Sequence, residues 1–178
     1  MLTNIQIEEL AEKMGIPLEG VYFKNELPPL KYNRSYILNM EDELDEDGKP
    51  NIGSHWVALQ IHKSADGKVS PIYFDSFGVG APVAVSEAVF KFCGKKLPHC
   101  AKDIQSLVSS MCGWYCLAFL HWINSSKCQS GHFYTDVDRF LDMFDDLNVE
   151  TDHLKNEWML KQFFRSNDPA LRVPIDAF

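Results

Sequence analysis

The chain has 178 residues, 46% of them apolar and 24% charged, and a net charge of −8. This is the composition of a globular domain with a sizeable core; it excludes a disordered chain, and an acidic balance with no Lys/Arg cluster argues against a nucleic-acid partner. No apolar run is long enough to span a bilayer, the first residues lack the basic and hydrophobic regions of a signal peptide, and five cysteines cannot all pair, so an intracellular setting with free thiols and no membrane is expected.

Thr3-Asn4-Ile5-Gln6 has the form of a capping box, and Ile7, Leu10, Ala11 and Met14 follow at helical spacing as far as Gly15, which predicts a first helix. Pro17, Gly20, Pro28 and Pro29 punctuate the next stretch, in which Val21–Phe23 reads as extended. Tyr36–Met40 reads as a strand, and the acidic run Glu41–Pro50 as a solvated loop. His55–His62 and Ser70–Asp75 read as two strands joined through Ala65-Asp66-Gly67-Lys68. The parity of that loop matters. A two-residue Asp66-Gly67 turn would pair Leu59 with Phe74 and place His55 and Asp75 on opposite faces. A three-residue Ala65-Asp66-Gly67 loop, with Gly67 left-handed, would pair Val57 with Asp75 and make His55 and Asp75 diagonal neighbours. The odd loop is the expectation.

Ser76–Pro82 reads as a turn without the spacing of a phosphate loop. Ser86 is placed to cap a helix over Glu87–Phe92, and Cys93–Ile104 reads as an irregular connection carrying His99-Cys100. The run Cys112–Ile123 is apolar almost all round a helical wheel, which predicts a helix central to the core, capped by Ser109 or Ser110. Cys112 then sits at the N-terminus of a buried helix, where backbone N–H groups and the macrodipole favour a thiolate. On this stretch alone a buried structural cysteine is the reading placed first, since free Cys is among the most buried residue types. Asn124–Gly131 reads as a loop. Thr135 is placed to cap a helix carrying Val137, Phe140, Leu141, Phe144 and Leu147, and Thr151 one carrying Leu154, Trp158 and Phe163, with a tail from Arg165. The whole, residues 1–178, reads as a single α+β domain: a small, mostly antiparallel sheet around one buried helix.

A thiol protease needs a thiolate, an imidazole base, a group to orient the imidazole, and donors for the oxyanion. The chain offers His55, Asp75, Gln105 and Cys112, in that order. Among rival bases, His62 shares a strand with His55 but at odd spacing, hence on the other face. His121 lies too far along the central helix from Cys112. Pattern alone does not dismiss His99 or His132.

The local contexts add to this. Gly53-Ser54-His55-Trp56-Val57-Ala58-Leu59, Tyr73-Phe74-Asp75-Ser76-Phe77-Gly78, Ile104-Gln105 and Cys112-Gly113-Trp114-Tyr115-Cys116 together resemble the adenovirus-type maturation proteases (adenains) and, more distantly, the SUMO proteases. The match is nearest to adenain-like proteases of virophages, Polinton-type elements and related double-stranded DNA viruses, over about residues 30 to 125. The resemblance implies a papain-like fold in permuted order. It makes Cys112 the nucleophile, His55 the base, Asp75 the group that orients it and Gln105 an oxyanion donor. It also implies a viral cysteine endopeptidase that cuts capsid or scaffold precursors at small residues, especially Gly, during virion maturation.

Asp75 departs from the Glu of adenoviral members and agrees with the SUMO-protease branch. Adenoviral enzymes are stimulated by DNA and by a disulfide-linked peptide. The net charge argues against carrying over a DNA cofactor, whereas Cys93, Cys100 and Cys128 leave a peptide activator open. A monomer with no other cofactor is expected. The alternatives are a peptidase of ubiquitin-like modifiers, an acyl-cysteine acetyltransferase (for which no basic phosphate site is seen), a zinc site from Cys93, His99, Cys100 and Cys112 (which lacks paired ligand spacing), and a non-catalytic binding domain that keeps the fold.

Overall fold

The computed structural model describes residues 1–50, 54–125 and 132–167. The chain begins as its capping box dictates. The Thr3 hydroxyl accepts from the Gln6 N–H at 3.2 Å, and the Gln6 side chain accepts from the Thr3 N–H at 2.9 Å. Helix α1 (Asn4–Lys13) follows, and Gly15, at φ +66°, turns the chain away. Four strands come next: β1 (Leu18–Phe23), β2 (Ser35–Asn39), β3 (Trp56–Lys63) and β4 (Val69–Phe74). The helices α2 (Val83–Cys93), α3 (Cys112–Asn124), α4 (Phe133–Leu141) and α5 (His153–Asn167) complete the described chain.

The sheet runs in the order β1-β2-β3-β4. β2, β3 and β4 are antiparallel neighbours, but β1 pairs parallel to β2, so the sheet is mixed. Alternation along the strands gives it two apolar faces. Ile37, Ala58, Ile72 and Phe74 face the core that holds α1, α3, α4 and α5. Tyr36, Leu38, Val57, Leu59, Ile61 and Tyr73 face the other way, onto Val85 and Val89 of α2. The sheet is therefore covered on both sides.

Every residue of α3 from Cys112 to Leu120 is buried, which is why its wheel carries no polar stripe. Phe119 stacks on Phe74 of the sheet with centroids 4.4 Å apart, and Phe140 of α4 meets both rings edge-on. At the far end of α3 the Asn124 amide donates to Gln60 Oε1 at 2.8 Å and accepts from Gln60 Nε2 at 3.0 Å, while Ser35 donates to Gln60 Oε1 at 2.5 Å. That polar cluster fixes where α3 ends on the sheet. Among the described residues, no helix is long and apolar enough to cross a membrane.

Several boundaries differ from expectation, mostly where a Ser or Thr suggests a cap. α2 starts at Val83, behind Pro82, four residues before Glu87. The Pro82 carbonyl takes the Val85 and Ser86 N–H groups, so Ser86 lies inside the helix. α3 follows Met111, with no side-chain cap from Ser109 or Ser110. α4 starts after His132, two residues before Thr135, and ends at Leu141, leaving Phe144 and Leu147 in the turns beyond it. At the start of α5 it is the Asp152 carboxylate, not Thr151, that accepts from the Lys155 N–H, at 3.3 Å. The helix runs on through Arg165 to Asn167. The remainder of the expected 165–178 tail lies outside the described residues, as does most of the expected 124–131 loop, Cys128 included.

Candidate active site

The β3–β4 hairpin sets the geometry. The Ser64 N–H donates to the Lys68 carbonyl at 2.9 Å, closing a three-residue loop, Ala65-Asp66-Gly67, with Gly67 at φ +87°. The ladder runs from Lys63↔Val69 to Ala58↔Phe74. This is the odd-loop register, and its next step sets Val57 against Asp75. His55 precedes β3 and Asp75 follows β4, so both emerge at the same end of the hairpin. There His55 Nε2 lies 2.7 Å from Asp75 Oδ1, with side-chain exposures of 13% and 3%. With Nε2 engaged by Asp75, the ring nitrogen left for the Cys112 sulfur is Nδ1.

Burial works against a charge on His55, but hydrogen bonds to Asp75 and to Cys112, and the negative charge of both, outweigh it. They lift the imidazole pKa from 6.5 to about 9. The protonated ring is therefore the state of His55 that these partners favour at neutral pH. Cys112 occupies the first position of α3, whose first-turn N–H groups have no acceptor within the helix.

The turn after Asp75 organises the rest. The Phe77 N–H donates to Asp75 Oδ1 at 2.8 Å, and the Phe77 ring stacks on His55 at 4.4 Å between centroids. The Gly78 N–H donates to the Asp75 carbonyl at 2.9 Å. Gly78 has φ +72°, and a Cβ there would lie 2.6 Å from the Ala101 carbonyl oxygen. Only glycine permits both the turn and the approach of the 101–105 segment. That segment delivers Gln105: the Ser76 carbonyl accepts from the N–H groups of Ile104 and Gln105 at 2.9 and 3.1 Å. The Ser76 hydroxyl donates to Gln105 Oε1 at 2.7 Å, and Gln105 Nε2 donates to the Ser109 carbonyl at 2.9 Å. The Ile104 carbonyl is held in turn by the Tyr115 hydroxyl and the buried Asn156 amide.

The structure thus joins His55, Asp75 and Cys112 directly and ties Gln105 to the residue after Asp75. Ser76, Phe77 and Asn156 belong to the same assembly and are not singled out by sequence reasoning. For Ser76 and Phe77 the signal was their place in Asp75-Ser76-Phe77-Gly78; for Asn156 there was none.

Trp56, next to His55, turns toward the N-terminal segment. Its indole N–H donates to the Leu2 carbonyl at 2.9 Å, and Leu2 packs over Gly113. The Cys116 thiol, one turn beyond Cys112, donates to the Trp56 carbonyl at 3.3 Å, and burial raises its pKa well above the ordinary value. His62 lies elsewhere, stacked on Phe133 at 4.6 Å. Cys93, Cys100, Cys112 and Cys116 are free thiols, and among the described residues no three His, Cys, Asp or Glu side chains gather as a metal site.

No family model matches the sequence, and no curated protein matches it. The fold has a solved counterpart in the crystal structure of the ASFV pS273R protease, with a TM-score of 0.51 and 16% sequence identity over 90% of this chain. The chain spans 66% of that protease's length. At this identity the likeness is one of fold alone, a small mixed sheet packed with five helices among the described residues of this chain.

Proposed function

We propose that this chain is a viral cysteine endopeptidase of the adenain-like kind, with a papain-like site in permuted order. It cleaves capsid or scaffold precursors near Gly-containing sites during virion maturation, at the intracellular site of virus assembly and within the virion. The observation that carries the reading is His55 held between the Asp75 carboxylate and the Cys112 sulfur at the start of a buried helix. The four-motif resemblance and the fold of the ASFV protease support it.

In this reading the Cys112 thiolate attacks the scissile carbonyl carbon and the C–O π pair moves onto oxygen. The oxyanion takes hydrogen bonds from the Cys112 backbone N–H and from Gln105 Nε2, whose second hydrogen is not used by Ser109. The tetrahedral species collapses, breaking the C–N bond, as Nδ1–H of His55 gives its proton to the departing amine. Water then attacks the thioester with His55 as base, releasing the acid and restoring the thiolate–imidazolium pair. Asp75 holds the ring in orientation throughout. The enzyme acts as a monomer without a metal or DNA.

The test is labelling with a peptide electrophile ending in Gly, applied to the unaltered chain, Cys112→Ala and His55→Ala. Labelling confined to Cys112 and lost without His55 supports the peptidase. Labelling that spreads over other cysteines and ignores His55 refutes it. Processing of a ubiquitin-like fusion in place of capsid-derived peptides would move the assignment to a modifier peptidase.

A further inference from the structure

An amide has two ends of nearly the same shape, one a donor and one an acceptor, so a buried glutamine needs neighbours to fix which way it points. An oxyanion needs the nitrogen; the oxygen in its place would repel it. Gln105 is 2% exposed and Ser76 fully buried, so water does not serve as a substitute partner. The Ser109 carbonyl can only accept, so it demands the nitrogen of Gln105. The Ser76 hydroxyl donates to the oxygen at 2.7 Å. Ser76 is itself fixed, because its carbonyl holds the backbone N–H groups of Ile104 and Gln105. It also directly follows Asp75, so one turn places the group that orients the base and the group that orients the oxyanion donor.

We propose that Ser76 is a positioning residue, whose hydroxyl holds the Gln105 side chain with its amide nitrogen toward the oxyanion. The catalytic consequence rests on the peptidase reading; the hold on the amide does not. Without the hydroxyl, Gln105 keeps one anchor, at Ser109, and gains rotational freedom about its terminal torsion. Ser76 touches neither His55 nor Cys112 through a hydrogen bond, so the ion pair keeps its partners.

The test compares two reactions of Cys112. Alkylation by iodoacetamide forms the S–C bond as the C–I bond breaks and iodide leaves; it needs the thiolate but creates no oxyanion. Peptide hydrolysis needs both. Ser76→Ala is expected to leave the alkylation rate within about twofold and KM within about twofold, and to lower kcat roughly 10-fold. In a Gln105→Ala background the same change should cost less than about twofold, since residues acting as a unit are not additive. Ser76→Cys, which fills the space with a weaker donor, should fall between and covers the case in which Ser76→Ala does not fold. In NMR spectra the Gln105 side-chain NH2 protons should be protected from exchange in the unaltered chain and exchange faster in the variants. Equal loss of alkylation and hydrolysis, a full extra loss in the Gln105→Ala background, or unchanged NH2 exchange would each overturn the proposal. An unaltered chain that is alkylated at Cys112 but hydrolyses no peptide sinks the peptidase reading alone, and the exchange measurement still decides the role of Ser76.

Discussion

His55 and Asp75 meet at 2.7 Å although neither belongs to the ladder that brings them together. Each lies one residue past a strand end, and a loop of odd length at the far end of the hairpin puts them within reach. The folded pKa of His55, about 9, lies above the unfolded value of 6.5. The fold therefore favours the protonated ring. That contribution to stability is fully present below about pH 6.5 and fades as pH rises through about 9. The corresponding limb of kcat/KM, which reports the free enzyme, should fall near pH 9. Asp75→Asn removes a principal support of the charge, so the limb should move toward 6.5 and kcat/KM should drop roughly 100-fold or more. A pH–rate profile of both proteins on a Gly-containing peptide checks this; an unmoved alkaline limb would mean that Asp75 does not govern the ring.

Gly78 offers a second test, because it combines a left-handed backbone with a backbone contact that cannot yield. Gly78→Ala must place a Cβ 2.6 Å from the Ala101 carbonyl oxygen at φ +72°. The conformational cost alone is about 1 kcal/mol, and displacing the 101–105 segment adds to it, for an expected total of about 2 kcal/mol or more. Because that segment carries Gln105, kcat should fall as well. Urea unfolding and steady-state kinetics measure the two effects. Gly67→Ala is the control: its φ of +87° is similar but nothing lies within 4 Å, so it should lose only the backbone part and leave kcat unchanged.

What could be read from sequence followed local chemistry. The capping box at Thr3, the all-round apolar wheel of α3 and the parity of the β3–β4 loop are rules of spacing, and the structure obeys them. Ser86, Ser109 and Thr135 have cap chemistry too, yet none caps. Ser86 is overtaken by a helix that starts behind Pro82, and the Ser109 carbonyl is instead the acceptor for Gln105. The parallel pairing of β1 with β2 and the clamp of Asn156 on Ile104 join segments far apart in sequence, and no periodicity encodes them. Gln105 is legible only through the company of Cys112; its orientation depends on Ser76, 29 residues earlier.

The cysteines should separate sharply in reactivity. Burial pushes the Cys100 thiol up to about 12, and burial with the nearby Cys112 charge raises the Cys116 thiol well above its ordinary value. Cys112 has the His55 imidazolium instead. With a limiting amount of iodoacetamide at pH 7.5, peptide mapping should find Cys112 modified first and Cys100 and Cys116 protected until the chain is unfolded. Early modification of Cys116 would show that α3 is not packed on Trp56 as described. His55→Ala should slow Cys112 without exposing the other two.

Stability and chemistry can also be separated along α3 itself. Asn124 lies 12 residues from Cys112, about 18 Å along the helix, so it has no reach to the site. Its Nδ2 is shared among Gln60 Oε1 at 2.8 Å, the Leu120 carbonyl at 2.7 Å and Ser35 Oγ at 3.2 Å. All three acceptors sit against nearly dry surroundings, with Ser35 and Gln60 no more than 1% exposed. Asn124→Asp keeps the shape but replaces the donor with a fourth acceptor, which must either repel Gln60 Oε1 or take up a proton. Asn124→Ala removes the clash and leaves the Gln60 amide short of partners. Losing a buried partner costs about 1 to 3 kcal/mol, so the alanine variant should sit in that range and the aspartate variant beyond it at pH 8, recovering in part toward pH 5 as the new carboxyl protonates. Denaturant midpoints at the two pH values test the order. Measured on the folded fraction, kcat/KM should be that of the unaltered chain in both. A loss of kcat/KM in folded Asn124→Ala would mean that the far end of α3 sets the position of Cys112, and that the helix behaves as one rigid strut between the polar cluster and the site.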